Sequence, residues 1–181
     1  PGAIIIVALG SNPLEAYGAL WKGAFGTGIA FTVTLGKSVP VMLTGLAVAI
    51  AFRCNVFNIG AEGQLLMGAM CAALFGAYVH LPMALHLPLT ILVSIAGGLV
   101  WAFIAAFLKL KRNVNVVIST IMLNYIAQYL IQYMILGPFK GPGANPATPE
   151  IDTTAQLPDL LPKPFSLNLG FILALCAVVV V

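Results

Sequence analysis

The sequence predicts an all-α fold, a polytopic transmembrane helix bundle of about six membrane segments. Three observations predict it. Of the 181 residues, 61% are hydrophobic and only 7% charged, whereas soluble domains carry about 25% charged residues. Several apolar runs approach the ~20 residues that a helix needs to cross a hydrocarbon core about 30 Å thick. A basic cluster, Lys109, Lys111 and Arg112, crowds a short link between two of these runs, and such clusters mark the cytoplasmic side.

The segments follow in order. The chain opens at Pro1 inside a first apolar run, Ala3–Leu9, and closes inside a last one, Phe171–Val181. Both read as truncated segments, so residues 1–181 are expected to form one transmembrane domain at the N-terminal part of a longer chain. After the first run, Asn12 can cap a short helix begun by Pro13. Leu14, Tyr17, Leu20, Trp21 and Phe25 would share its apolar face, as in a helix lying on a membrane surface. A connecting loop is the other reading of this stretch.

The second segment, Val39–Phe52, is short for a span, and Lys37 limits its extension backward. The third to fifth are Ala61–Val79, Pro88–Leu108 and Val114–Leu136. Placing the Lys109–Arg112 link inside puts the turn near Arg53 inside as well. The link carrying His80 and His86 then lies outside, together with the long stretch 137–168. That stretch holds seven of the twelve prolines, which forbid a regular helix or central strand. It reads as a docking surface for an outside partner or as a passive linker.

Small residues recur four apart on two segments: Gly68, Ala72 and Gly76 after Gln64 on the third, and Ser94, Gly98, Ala102 and Ala106 on the fourth. This spacing lets helix backbones approach closely and argues for helix packing. The fifth segment differs. Thr120, Asn124, Gln128 and Gln132 follow one another four apart, beside a row of Tyr125, Tyr129 and Tyr133. Amides facing lipid are costly. The row therefore faces protein, as interhelical hydrogen bonding, or a wet pathway for a polar, uncharged, ring-bearing solute.

Between the second and third segments lies a polar, glycine-bearing break containing Arg53, Asn55, Asn58, Glu62 and Gln64. It fits a discontinuous membrane element near residues 53–62. Asn58 can cap the next helix, with Glu62 in its first turn and Arg53 at the end of the preceding helix, both favoured by the helix dipoles. A gating or coupling role is the alternative to this reading of capping plus an Arg53–Glu62 pair.

No nucleophile with a base, no metal spacing and no nucleotide-binding glycine loop is present in the sequence. Cys54, Cys71 and Cys176 match no disulfide or metal spacing and read as packing residues. The net charge of +3 is too small to suggest nucleic-acid binding. A secondary transporter should carry a buried carboxylate or ion site. Glu62 is the one candidate and lies near the inner end.

The runs "NPLEAYGALWKGAFG", "LTGLAVAIAFRCNVFNIGAEGQLLMGA" and "VNVVISTIMLNYIAQYL" resemble the permeases of bacterial nucleoside and simple-sugar ABC importers, within the group of ribose and branched-chain amino-acid permeases. The likeness extends through "GANPATPEI". It implies a multi-pass protein of the cytoplasmic (inner) membrane. Its expected partners are a second permease subunit, a cytoplasmic ABC ATPase and an extracytoplasmic substrate-binding lipoprotein, within the lipid bilayer. It further implies that ATP and magnesium are used by the ATPase and that no cofactor is bound by this chain. A coupling segment for the ATPase is expected beyond Val181. A secondary transporter or channel without an ATPase remains the alternative.

Overall fold

The computed structural model describes residues 2–180. It contains seven α-helices among them: α1 (Gly2–Ala8), α2 (Pro13–Phe25), α3 (Gly28–Arg53), α4 (Ala61–Tyr78), α5 (Met83–Arg112), α6 (Val116–Leu136) and α7 (Leu169–Val180). One 3-10 turn, Thr153–Ala155, interrupts the long irregular stretch before α7. Pro1 and Val181, the two ends of the expected transmembrane domain, lie outside the described residues.

Among the described residues three helices, α3, α5 and α6, are long and apolar enough to cross a membrane. α1 and α2 count as a fourth span if taken together, but they are bent by 120° at the intervening turn. The polar start of α4, with Glu62 and Gln64, leaves its mean hydropathy lower than that of these three despite its 18 residues.

The chain divides into two compact units. One comprises residues up to Met42 with Pro158–Val180, and the other Leu43–Leu157. In the first, α2 starts as the sequence predicts: the Asn12 side chain accepts from the Leu14 N–H at 3.0 Å and Pro13 takes the first helical position. Trp21 and Phe25 pack as a tilted ring pair, with centroids 4.7 Å apart and planes at 43°. The Thr34 hydroxyl donates to the Ala30 and Ala24 carbonyls at 2.9 and 3.0 Å. Ser38 bonds back to the Leu35 carbonyl in the same way, so these polar groups bring no unmet demand into an apolar setting.

The second segment is not short. α3 runs for 26 residues, straight through Lys37 and Pro40. Lys37 is exposed, and a lysine stem can lie along apolar surface while its ammonium reaches water. It therefore does not end a span. α5 likewise begins at Met83, five residues before the expected start at Pro88, because a membrane helix tolerates a proline whose freed carbonyl finds another partner.

In the second unit, α4 packs against both α5 and α6, and α5 against α6. A Cβ built on Gly68 would sit 2.8 Å from the Ser94 carbonyl oxygen, and one on Gly98 would sit 3.2 Å from that of Gln64. Gly97 meets Cys71 Sγ, so Cys71 is a packing residue as read. Cys54 and Cys176 are exposed. Ala72 and Ala102 are half-buried on the same two helices. Gly76 departs from the expected helix packing. Its neighbours are Ile151 and Ala155, at 2.7 and 3.2 Å from a built Cβ. The irregular stretch, not a helix, fills this notch.

Candidate functional site

The site assembles where the break after α3 meets α4, α5 and α6. α3 ends in a Schellman motif. Asn55 takes a left-handed conformation, φ 56°. Its N–H donates to the Phe52 carbonyl, and the Val56 N–H donates to that of Ala51 at 2.9 Å. Asparagine tolerates this conformation better than most residues, so Asn55 has a structural task at the helix end. Arg53 occupies the last helical position.

Asn58 does not cap α4. Its Oδ1 accepts from the Gly60 N–H at 2.9 Å, closing a local turn. Gly60 is the capping residue and offers no side chain. The missing cap comes from α6: Asn124 Oδ1 accepts from the Gly63 N–H at 2.9 Å. This donor lies three residues into the helix, where a capping Ser or Asp would normally reach. The same amide donates through Nδ2 to the Ile59 carbonyl at 2.9 Å, so Asn124 clamps both sides of the turn. One helical turn later, Gln128 Nε2 donates to Glu62 Oε1 at 2.7 Å.

Glycine is required where these groups crowd. A Cβ on Gly63 would sit 2.8 Å from Asn124 Oδ1 and 3.1 Å from Trp101 Nε1. A Cβ on Gly60 would sit 3.0 Å from Thr120 Cβ. Thr120 is fully buried, and its hydroxyl donates to the Val116 and Val117 carbonyls at 2.8 and 3.1 Å. Trp101 escaped the sequence reading. Its signal is an indole N–H in mid-span, a group that usually finds a partner when buried. Here Nε1 is buried beside the Asn124 clamp with no partner among the described residues.

The structure thus gathers Thr120, Asn124, Gln128, Asn58, Glu62 and Gln64 at one junction. It leaves Gln132 outside it. Tyr125, Tyr129 and Tyr133 are exposed along α6, and Gln132 is exposed with them. Gln64 and Thr120 also border a cavity of about 860 Å³ near the α5–α6 link. No group of three His, Cys, Asp or Glu residues able to hold a metal occurs among the described residues.

At the opposite end of the bundle, residues 150–156 strap the α4–α5 connection. The Asp152 N–H donates to the Gly76 carbonyl at 2.8 Å. His80 Nδ1 donates to Asp152 Oδ2 at 3.1 Å. His86, expected in the outer link, instead lies in the first turns of α5. It is completely buried, with Nδ1 2.6 Å from the Thr154 hydroxyl. The hydrogen bond from His80, followed by that from the Thr154 N–H, lowers the Asp152 pKa from 3.8 to about 2. A carboxylate lowered in the folded state contributes stability above its ordinary value and loses it as pH falls through the folded one. That places the loss between roughly pH 4 and pH 2. An NMR titration of the Asp152 carboxyl carbon should therefore show a midpoint near 2. His80→Ala should move the midpoint upward, since the His80 hydrogen bond is the largest cause of the lowering.

Residues 30–181 match the family described as branched-chain amino acid transport system / permease component. The guanosine ABC transporter permease protein of Bacillus subtilis is 43% identical over 123 residues, covering 68% of this chain and 35% of the relative. A glucose ABC transporter permease protein of Haloferax volcanii is 38% identical over 122 residues, covering 67% of this chain and 32% of its own length. A nucleoside ABC transporter permease protein of Lactococcus lactis is 36% identical over 124 residues, covering 68% and 34%. The chain spans about a third of the length of these curated relatives. No solved structure matches it.

Proposed function

The chain belongs to the family of branched-chain amino acid transport system permease components, and from that premise we propose that it is the membrane-spanning part of an ABC importer moving a small uncharged polar solute, a nucleoside or simple sugar. The relatives named for guanosine, nucleosides and glucose support this solute class. The observation that carries it is the exposed row on α6. Gln132, Tyr125 and Tyr129 offer an amide and phenol rings on a span that lipid alone would not tolerate, with Gln128 exposed beside them at its hydrogen bond to Glu62. Amides satisfy hydroxyl and ring-nitrogen groups, and phenol rings stack on a base or sugar face. Thr120 and Asn124 act beside that row by holding the junction, since their polar atoms are already engaged.

The chain works in the bacterial cytoplasmic membrane with a second permease subunit. A cytoplasmic ATPase hydrolyses the ATP, and a substrate-binding lipoprotein delivers solute to the 137–168 stretch outside. The Lys109–Arg112 link faces the cytoplasm. This is a transport subunit that performs no covalent chemistry itself.

The test is uptake of labelled guanosine and labelled glucose by proteoliposomes holding the full-length protein, its second permease and its ATPase, with the substrate-binding lipoprotein supplied on the outer side. Uptake of at least one solute should require ATP. Gln132→Leu and Tyr129→Leu should each lower it about tenfold, the effect of losing about 1.4 kcal/mol of solute interaction, with the protein still inserted. ATP-independent uptake would sink the importer reading. Unchanged uptake in both variants would remove the row from the pathway.

A further inference from the structure

We propose that the cavity beside the α5–α6 link seats one anionic phospholipid, a site independent of which solute is carried. The cavity holds about 860 Å³, within the ~300–1,000 Å³ typical of small-molecule sites. It has two chemically distinct parts. Its rim carries Lys109, Asn113 and Asn115. One wall carries Ala102, Ala105 and Ala106 from α5, facing Asn58, Gln64 and Thr120 among the remaining lining; the three alanines precede Lys109 by two turns or less and so lie about 5–10 Å further along the helix axis.

The charge on the rim has one sign. Lys109, Lys111 and Arg112 all fall in the last turn of α5. Lys109 Nζ is held over the rim by Asn113 Oδ1 at 2.8 Å, and Asn113 adopts the left-handed conformation that ends the helix, φ 52°. No carboxylate lines the cavity, and none pairs with these three cations among the described residues. The α6 N-terminus opens on the same rim and adds positive potential.

An occupant that complements this arrangement has an anionic head, for the cations and amides, and an apolar body for the alanine wall. A free anion would leave the wall wet. A neutral solute would leave the Lys109 ammonium at the rim without an anionic counterpart, with Lys111 and Arg112 adding positive potential from the same helical turn. A phospholipid with a net negative head satisfies both halves, and each basic residue near an anionic lipid surface contributes about a fivefold factor in binding.

The experiment uses the full-length protein purified in detergent. Dioleoyl-phosphatidylglycerol or dioleoyl-phosphatidylcholine is added, and retained lipid is counted by native mass spectrometry. The expected result is a single retained phosphatidylglycerol, favoured at least about tenfold over phosphatidylcholine. K109Q/K111Q/R112Q should reduce retention to the phosphatidylcholine level. Ala106→Trp, at an exposed wall position, should expel the lipid with every charge still present. That arm separates a seated lipid from loose attraction to a basic surface. Equal retention of the two lipids, unchanged retention in both variants, or equally tight binding of chain-free glycerol phosphate would overturn the proposal. So would a lipid-free cavity from which Ala106→Cys cross-links to another protein chain.

Discussion

Asn124→Leu should weaken the junction of α4 and α6 by about 3 kcal/mol and abolish most uptake in the assembled transporter. Leucine keeps the volume but removes both halves of the clamp. The Gly63 N–H and the Ile59 carbonyl, each bonded to that amide at 2.9 Å, lose their partners together. An unsatisfied backbone group away from water costs about 1–3 kcal/mol, and two are stranded at one turn. Stability is read from the midpoint of unfolding in mixed micelles. Asn124→Asp is the informative control. It retains an oxygen for the Gly63 N–H, favoured at a helix N-terminus, but has no donor for Ile59. It should recover part of the loss. An Asn124→Leu protein as stable as the parent would show that the clamp does not hold the turn.

Gly68→Leu should separate α4 from α5, with a cost of about 3 kcal/mol and loss of protease resistance. The added Cβ would meet the backbone oxygen of Ser94 at 2.8 Å. A carbonyl inside a helix cannot swing aside as a flexible side chain can, so the helices must part. Gly18→Ala provides the contrast. Nothing lies within 4 Å of a Cβ there, so the substitution should instead steady α2 by about 0.5–1 kcal/mol. The two glycines look alike in sequence and differ only in what stands opposite.

That contrast marks how much was legible. α4 and α6 begin and end within two residues of the expected limits, since the polar, glycine-bearing break bounds the apolar run of α4 and the Asn115 cap that of α6. The first half of α3 was hidden because Lys37 and Pro40 lower its apparent apolarity without ending the helix. His86 was placed in a link because a histidine beside prolines resembles a loop. In the fold it fills a buried notch against Thr154. The row from Thr120 to Gln132 was visible as a polar stripe that must avoid lipid. Which group each amide bonds was not, because that depends on how closely another helix approaches. Gly76 shows the same limit: its spacing matched a packing stripe, but its neighbour is a strap from far along the chain.

The Asn124 clamp also bears on how the protein is made. The first turn of α4 is completed by a residue 61 positions later, about 3–12 s of translation at ordinary ribosomal speeds. During that interval α4 can enter the bilayer, but its opening turn stays frayed. It closes only after α6 has been synthesised and has docked, so the start of α4 is among the last turns of this helix to settle.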